Sequence, residues 1–134
     1  MSNVVKITVT IFILVAALSF PVFAEAIHCT ECGMMVDLNS KFVAKAVQGD
    51  TTRYFCDIGD LFGYLKKNAS KDAVLSVKDY TTGEWIDARK AFYVSSEKKF
   101  KTPMGWGIAA FKEKESAAPS GSPMDFDETA NKMK

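Results

Sequence analysis

Hydrophobic and polar positions alternate in several short stretches of the chain and follow a helical period in one. Residues 41–48 and 51–56 are rich in β-forming side chains and flank a Gly-Asp turn signal, so they predict a β-hairpin. Apolar residues then recur at helical spacing over 58–68, where Asp57 can serve as the N-cap and two lysines lie near the negative end of the helix. These segments together predict a ββα unit.

Further β-forming segments follow the predicted helix. Residues 73–80, 85–88 and 89–96 predict strands, and residues 81–84 predict a turn between the first two. Residues 102–115 begin with a Pro-Met-Gly loop and predict a short amphipathic helix. A ββαβ order followed by strands and a helix is typical of an α+β fold in a small single domain.

The beginning of the chain has the features of a secretory signal peptide. Lys6 supplies a positive n-region, residues 7–20 form an apolar h-region, and small residues precede a cleavage site after Ala24. An uncleaved membrane anchor is the alternative, although the apolar run is shorter than the roughly 20 residues of a spanning helix. The residues before the first cysteine lack the motif that lipoprotein processing requires. The leader therefore predicts an exported protein whose residues 1–24 are removed.

The composition limits the remaining possibilities. The chain has 17 Lys and Arg against 16 Asp and Glu, and no basic stripe with interleaved aromatic residues, so a nucleic-acid partner is not expected. Residues 116–134 are small, polar and interrupted by Pro and Gly, which predicts a disordered C-terminal tail. The predicted folded domain therefore spans residues 25–115.

Soft ligand atoms are concentrated in residues 27–36, which hold the single histidine, two of three cysteines and two of six methionines. Export allows Cys29 and Cys32 to form a disulfide, which would leave Cys56 as the unpaired thiol. A thioredoxin-like redox pair is a second interpretation. Such motifs normally follow a buried strand and begin a helix, whereas this one comes directly after the predicted cleavage site.

Metal binding by the three cysteines gives two further interpretations. Structural zinc requires a fourth ligand. The position four after Cys56 is Asp60, and His28 is awkwardly placed beside Cys29. Cu(I) is selected by thiolates and thioethers together and tolerates two or three ligands. Met104 fits this chemistry, because Pro and Gly on either side fix a loop with no room for helical core packing. Trp106 beside it could shield a bound ion from water.

Four ordered blocks of the sequence resemble the NosL family, accessory proteins of nitrous oxide reductase maturation. They are "CTECGMMV" (29–36), "FVAKAVQGDTTRYFCDIGDLFGYL" (42–65), "VKDYTTGEWIDARKAFYV" (77–94) and "TPMGWGIAAF" (102–111). The first two blocks also resemble the metal-binding frame of YHS and TRASH-type modules. The resemblance implies a ββαβ-type fold that is also seen in organomercurial lyase.

The resemblance also implies a function. It indicates a periplasmic Cu(I) chaperone of denitrification that delivers copper to an apo-cuproenzyme, nitrous oxide reductase, alongside an ABC-type maturation complex. The methionine of the Pro-Met-Gly block is Met104, and an acidic residue, Asp87 or Glu97, can contribute. Two features depart from the family pattern. The lipoprotein motif of many members is missing, and Asp60 stands where the TRASH-type frame has a fourth cysteine.

The residues and the resemblance together predict a copper chaperone and not an enzyme. The predicted metal ligands are Cys29, Cys32, Met34, Cys56 and Met104. A thiol–disulfide oxidoreductase that uses Cys29 and Cys32 is one alternative, and a structural zinc module for protein contacts is another. Membrane association is expected only through an uncleaved leader.

Overall fold

A computed structural model describes residues 21–133 of the chain. The predicted signal peptide falls almost wholly on residues 1–20, which lie outside this range, and its cleavage stays a prediction. Among the described residues, none of the helices has the length and apolar character needed to cross a bilayer.

An antiparallel four-stranded sheet forms the centre of the domain. Its strands are β1 (Ala44–Gln48), β2 (Thr51–Phe55), β3 (Val74–Lys78) and β4 (Trp85–Asp87), in the order β2-β1-β3-β4. The β1–β2 hairpin pairs Gln48 with Thr51, and its turn uses Gly49 at a φ of 57°, a conformation that favours glycine. The predicted hairpin and the two strands after the helix are confirmed.

Helix α1 (Ile58–Lys67) packs its apolar face against this sheet. Asp57 caps the helix, because its side chain accepts a hydrogen bond from the backbone N–H of Gly59 at 3.1 Å. Ile58, Leu61 and Phe62 are fully buried in the resulting core. The helix therefore begins where the sequence predicts, and Cys56 is held immediately before it.

A second, two-stranded antiparallel sheet pairs β5 (Phe92–Ser95) with β6 (Ile108–Phe111). The predicted helix over residues 102–115 is wrong here: only Lys114–Ala117 is helical, as α2. All four residues of β6 are buried, so the strand lacks the alternation that identifies a half-exposed strand in a sequence. A hydrogen bond from the Tyr80 N–H to the Ala110 carbonyl (2.7 Å) joins this strand to the end of β3.

The C-terminal segment differs from the predicted disordered tail. After a 3-10 turn (Ala118–Ser120), helix α3 (Phe126–Lys132) begins with a capping box formed by Asp125 and Glu128. Phe126 is buried, with its ring centroid 5.0 Å from that of Phe62 on α1. The folded domain therefore continues past residue 115, and the whole described range forms a small α+β domain.

Candidate metal centre

Three thiols and one carboxylate converge beside the start of α1. One ligand atom from each of Cys29, Cys32, Cys56 and Asp60 lies within 4.8 Å of the others. Cys29 and Cys56 are only 3 % and 4 % exposed, whereas Cys32 is partly exposed. All three cysteines are free thiols. The predicted convergence of the cysteines is therefore present, with one open side at Cys32.

A tight turn positions the first two thiols. The backbone N–H of Gly33 donates to the Cys29 carbonyl at 2.9 Å, and Gly33 has a φ of 75°. The N–H of Thr30 donates to the Tyr54 carbonyl at 2.9 Å, which attaches the turn to the edge of β2. Because Cys56 follows β2 by one residue, this attachment brings distant parts of the sequence together.

An ion pair fixes the same turn to α1. Glu31, which lies between the two cysteines of the motif, contacts the Lys67 ammonium at 2.8 Å. Lys67 belongs to the last turn of the helix and Asp60 to its first turn. The turn therefore lies along the length of α1, and the thiols face its N-terminal end.

Asp60 joins the thiols to a neighbouring loop. Its Oδ2 accepts hydrogen bonds from the thiols of Cys29 at 3.4 Å and Cys56 at 3.6 Å. Its Oδ1 accepts a hydrogen bond from the indole N–H of Trp106 at 3.0 Å. The Sγ atoms of Cys32 and Cys56 are 3.4 Å apart, which completes a network among the four groups. The carboxylate is thus directed at the thiols by a partner on its other side.

Burial keeps two of these thiols protonated. Loss of hydration raises the pKa of Cys29 above its usual value of 9.0. Burial also raises the pKa of Cys56, and its hydrogen bond with Cys32 and the nearby Cys29 act in the same direction. At neutral pH the Cys29 and Cys56 thiols of the metal-free protein therefore hold their protons, and a metal ion must displace those protons to bind them.

The loop of residues 102–107 docks on the first turn of α1. The backbone N–H of Met104 donates to Asp57 Oδ2 at 3.0 Å, so the helix cap also holds the loop. The indole ring of Trp106 lies directly against Gly59, where a side chain of any size would overlap with it. The Pro-Met-Gly block is therefore anchored next to the thiols by two separate contacts.

The predicted methionine ligands lie at the surface. Met34 is 46 % exposed and Met104 is 43 % exposed, so neither thioether is committed to the core. Met34 belongs to the turn that carries Cys29, since its carbonyl accepts the Cys29 N–H at 2.7 Å. Their part in metal binding stays a prediction.

The other candidate ligands of the sequence lie outside the group of four. His28 is exposed, and its Nδ1 is 3.1 Å from the Gly33 carbonyl. Asp87 accepts a hydrogen bond from the Arg89 N–H at 2.9 Å in the turn after β4. Glu97 abuts Gly107 through its backbone. None of the three is among the clustered ligand groups of residues 21–133.

The contacts of Asp60 have little signal in the sequence. Its position four residues after Cys56 places both side chains on one side of a helix start but does not indicate a hydrogen bond to the thiols. The hydrogen bond between Trp106 and Asp60 spans 46 residues, and no local pattern indicates it.

Comparisons with known proteins give two findings. The model of the NosL family matches residues 22–128 of the chain. Among solved structures, the chain is similar to the crystal structure of the copper chaperone NosL from Shewanella denitrificans, with a TM-score of 0.61 at 23% sequence identity. That similarity covers 75% of this chain and 87% of the other. A comparison with curated protein sequences gave no match.

Proposed function

The chain belongs to the NosL family, and on that premise we propose that it is a copper chaperone that holds Cu(I) at the thiol site and passes it on by ligand exchange. The observation that carries the proposal is the convergence of three thiols, from two distant segments, within 4.8 Å of one another and of Asp60. The ion is cargo in this function, and the protein catalyses no reaction on it.

The donor set fits a soft ion. Thiolates are polarisable and select Cu(I), which accepts two or three ligands in loose geometry. Metal–sulfur bonds of about 2.3 Å place opposite donors up to about 4.6 Å apart. The spread of the four ligand atoms, 4.8 Å at most, is therefore close to what a single ion requires.

Delivery requires a site that a partner can reach. Cys32 is the most exposed of the three thiols, and the exposed thioethers of Met34 and Met104 lie on the two segments that flank the site. Exchange of one thiolate or thioether at a time lets the ion leave without unfolding of the site. We assign Met104 to this exchange because its loop is fixed to the helix that carries Asp60.

The resemblance to the family supports a proposal for the destination of the ion. The accepting partner is a cuproenzyme, for which the resemblance to accessory proteins of nitrous oxide reductase maturation indicates that reductase. Exchange takes place in the periplasm, to which the predicted leader of residues 1–24 directs the chain.

The burial of Cys29 argues against the oxidoreductase alternative. The attacking thiol of a redox pair has a lowered pKa and commonly begins a helix. Here burial raises the pKa of Cys29, and the residue lies in a turn. The motif is thus suited to hold a metal rather than to attack a disulfide from Cys29.

Asp60 supports zinc as a second candidate ion. Three thiolates and one carboxylate provide the four ligands of a tetrahedral zinc site, and a carboxylate oxygen is a common zinc ligand. A structural zinc module for protein contacts would use the same four residues. Zinc and Cu(I) differ in how strongly their binding depends on the carboxylate of Asp60.

Metal titration of the reduced protein tests both. We expect one equivalent of Cu(I) to be retained in competition with a chromogenic Cu(I) chelator under anaerobic conditions. Asp60→Asn keeps the acceptor for Trp106 but removes the charge, so we expect it to lower zinc affinity by about 10- to 100-fold and Cu(I) affinity much less.

The exposed Asp72 gives the matched control, and Asp72→Asn should change neither affinity. Failure of the reduced protein to withhold Cu(I) from the chelator would refute the proposed function. Retention of zinc through purification, with no Cu(I) uptake, would identify the zinc module instead.

A further inference from the structure

We propose that Cys32 and Cys56 are the pair that forms a disulfide when the metal-free site is oxidised, and that this bond closes the site to metal. The claim that the bond closes the site to metal rests on the proposed function, because it describes a regulation of the same site. The claim that Cys32 pairs with Cys56 concerns the thiols alone. It differs from the interpretation of the sequence, in which the Cys-x-x-Cys motif pairs Cys29 with Cys32 and leaves Cys56 over.

The distances favour this pair. The Sγ atoms of Cys32 and Cys56 are 3.4 Å apart, so an approach of about 1.4 Å gives the disulfide bond length of about 2.05 Å. The Cys29 thiol donates to Asp60 Oδ2 at 3.4 Å, and the Cys56 thiol donates to the same oxygen at 3.6 Å. The sulfur–sulfur contact thus joins Cys56 to Cys32, while the contact of the Cys29 thiol is to the carboxylate.

Exposure determines which thiol reacts first. Cys29 and Cys56 are almost completely buried, whereas Cys32 is partly exposed. An oxidant that comes from solvent therefore meets Cys32. The thiol nearest to the resulting mixed disulfide is then Cys56, which lies behind it in the core.

The chemistry is thiol–disulfide exchange with a small disulfide oxidant, RSSR. The Cys32 sulfur attacks RSSR to form a mixed disulfide and releases one RSH. The Cys56 sulfur, already 3.4 Å from the Cys32 sulfur, then attacks it in the mixed disulfide, and the Cys56 proton passes to the departing RS⁻, which leaves as the second RSH. Two protein thiols lose two electrons and two protons, and the oxidant gains both, so that RSSR becomes two RSH.

The bond removes two of the four clustered donors. Cys29 and Asp60 remain, which is one soft ligand and one oxygen ligand from the described group. A bound ion has the opposite effect, because thiolates that coordinate a metal are no longer free to attack a disulfide. The empty protein is therefore the form that oxidises, and the loaded protein is protected.

Peptide mapping tests the pairing directly. The purified, reduced, metal-free protein is treated with oxidised glutathione, alkylated and digested with trypsin and Glu-C. Glu31 separates the two cysteines of the motif, so Cys29 and Cys32 fall on different peptides. We expect a cross-link between the Cys32 and Cys56 peptides, with Cys29 alkylated. A bond between Cys29 and Cys32, a bond between Cys29 and Cys56, or no bond at all overturns the inference.

Two variants provide matched controls. Cys29→Ser should still lose two thiols to the oxidant, because both members of the pair remain. Cys32→Ser should not form the intramolecular bond and should leave Cys56 largely reduced because of its burial. Equal oxidation of both variants would overturn the assigned order of attack and the pairing with it.

Cu(I) titration of the two redox forms separates this inference from the proposed function. We expect the oxidised protein to bind Cu(I) at least about tenfold more weakly than the reduced protein, and a reductant to restore binding. Unchanged binding after the bond has formed overturns the closure. If the bond forms but the reduced protein binds no Cu(I), the proposed function fails and the pairing stands. If a different pair of cysteines forms the disulfide while the reduced protein binds Cu(I), the proposed pairing fails and the proposed function stands.

Discussion

Asp60 links the thiol site to the loop of residues 102–107 through hydrogen bonds on both of its carboxylate oxygens. One carboxylate oxygen accepts from two thiols, and the other accepts from Trp106 on a loop 46 residues away. A carboxylate in the first turn of a helix is also stabilised by the helix dipole. The negative charge next to the thiols is thus held in place by the helix and by the loop, before any metal binds.

Replacement of Met104 tests whether its thioether belongs to the site. Met104→Leu keeps the volume and the backbone hydrogen bond to Asp57 but removes the sulfur. We expect Cu(I) affinity to fall by about tenfold or more, equal to about 1.4 kcal/mol, because a soft ligand is lost. Competition with a chromogenic chelator measures the change.

Met35→Leu is the control for this experiment. Met35 lies one residue beyond Met34 and is 70 % exposed, more than either predicted ligand, so its side chain does not pack in the core. Its replacement should leave the affinity within error. Equal affinities for wild type and Met104→Leu would exclude Met104 from the ligand set.

The sequence allowed the ligand types to be predicted but not the arrangement of the site. Cys29, Cys32 and Cys56 were identified because cysteines are rare and their spacing is typical of metal sites. The contact of Trp106 with Asp60 depends on how a loop docks on a helix, which no local pattern encodes. The short distance between the Cys32 and Cys56 sulfurs likewise depends on how separate segments dock on one another, which no local pattern indicates.

At the scale of elements, the junction between α1 and the loop of residues 102–107 determines the shape of the site. The Trp106 ring lies on Gly59 in the first turn of the helix, and the Met104 N–H binds the helix cap. Glycine is a weak helix former. Its presence at position 59 is explained by the close approach of the indole ring.

A methyl group at position 59 should therefore loosen the loop. In Gly59→Ala the new Cβ overlaps with the indole ring, so Trp106 must move away and its hydrogen bond to Asp60 is lost. We expect a red shift of tryptophan fluorescence and a Cu(I) affinity lowered by about 10-fold, as for loss of an outer-shell contact.

Gly63→Ala on the same helix is the matched control. Its nearest neighbour would be Glu31 Oε2 at 3.8 Å, an ordinary contact. Alanine should raise the free energy of unfolding by about 0.5–1 kcal/mol through its helix propensity, with the affinity unchanged. Similar effects of both substitutions on Cu(I) binding would refute the role given to the Trp106–Gly59 contact.

The elements that were predicted well are those with strong local signals. The β1–β2 hairpin has a Gly-Asp turn, and α1 has a capping aspartate and an apolar stripe, so periodicity and capping identify them. The sequence of β6 predicts a helix instead of a strand, because β6 is buried throughout and contains two alanines. The polar composition of the C-terminal segment predicts disorder, although its fold depends on one capping box and a few anchoring side chains.

The anchoring of α3 gives a prediction about stability. Phe126 packs against Phe62 and Tyr93, with ring centroids 5.0 and 6.5 Å away. Phe126→Ala should lower the free energy of unfolding by about 3 kcal/mol, since a buried aromatic side chain is lost. Asn131→Ala, at an exposed position of the same helix, should change it by less than about 0.5 kcal/mol. Urea denaturation measures both. A disordered segment after residue 115 would give no difference between them.

At the scale of the whole molecule, the site links protonation to folding. Cys29 and Cys56 lie in the main hydrophobic core together with residues of α1 and the sheet. Tyr93, from the second sheet, belongs to the same core, and burial raises its pKa as well. All three groups therefore favour the protonated form when the protein is folded and metal-free.

This linkage predicts that the metal-free protein loses stability in alkaline solution. The folded pKa values of Cys29 and Cys56 lie above the usual 9.0 of an unfolded thiol. Below about pH 9 both states hold their protons and the full stability is present. As the pH rises above about 9, the unfolded thiols ionise first, so the unfolded state binds fewer protons and stability falls.

Bound metal should reverse the dependence of the free energy of unfolding on pH. In the loaded protein the thiolates hold an ion and no protons, while the unfolded thiols remain protonated below about pH 9, so stability rises with pH up to that value. Urea denaturation midpoints of the reduced protein, measured from about pH 7 to 10 with and without Cu(I), give the pH dependence of stability for the two forms.

Cys56→Ala should reduce the loss of stability of the metal-free form at alkaline pH, because one of the buried thiols is removed, and Asp72→Asn should not. A metal-free midpoint that stays constant or rises between about pH 8 and 10 would contradict the protonated state assigned to the buried thiols.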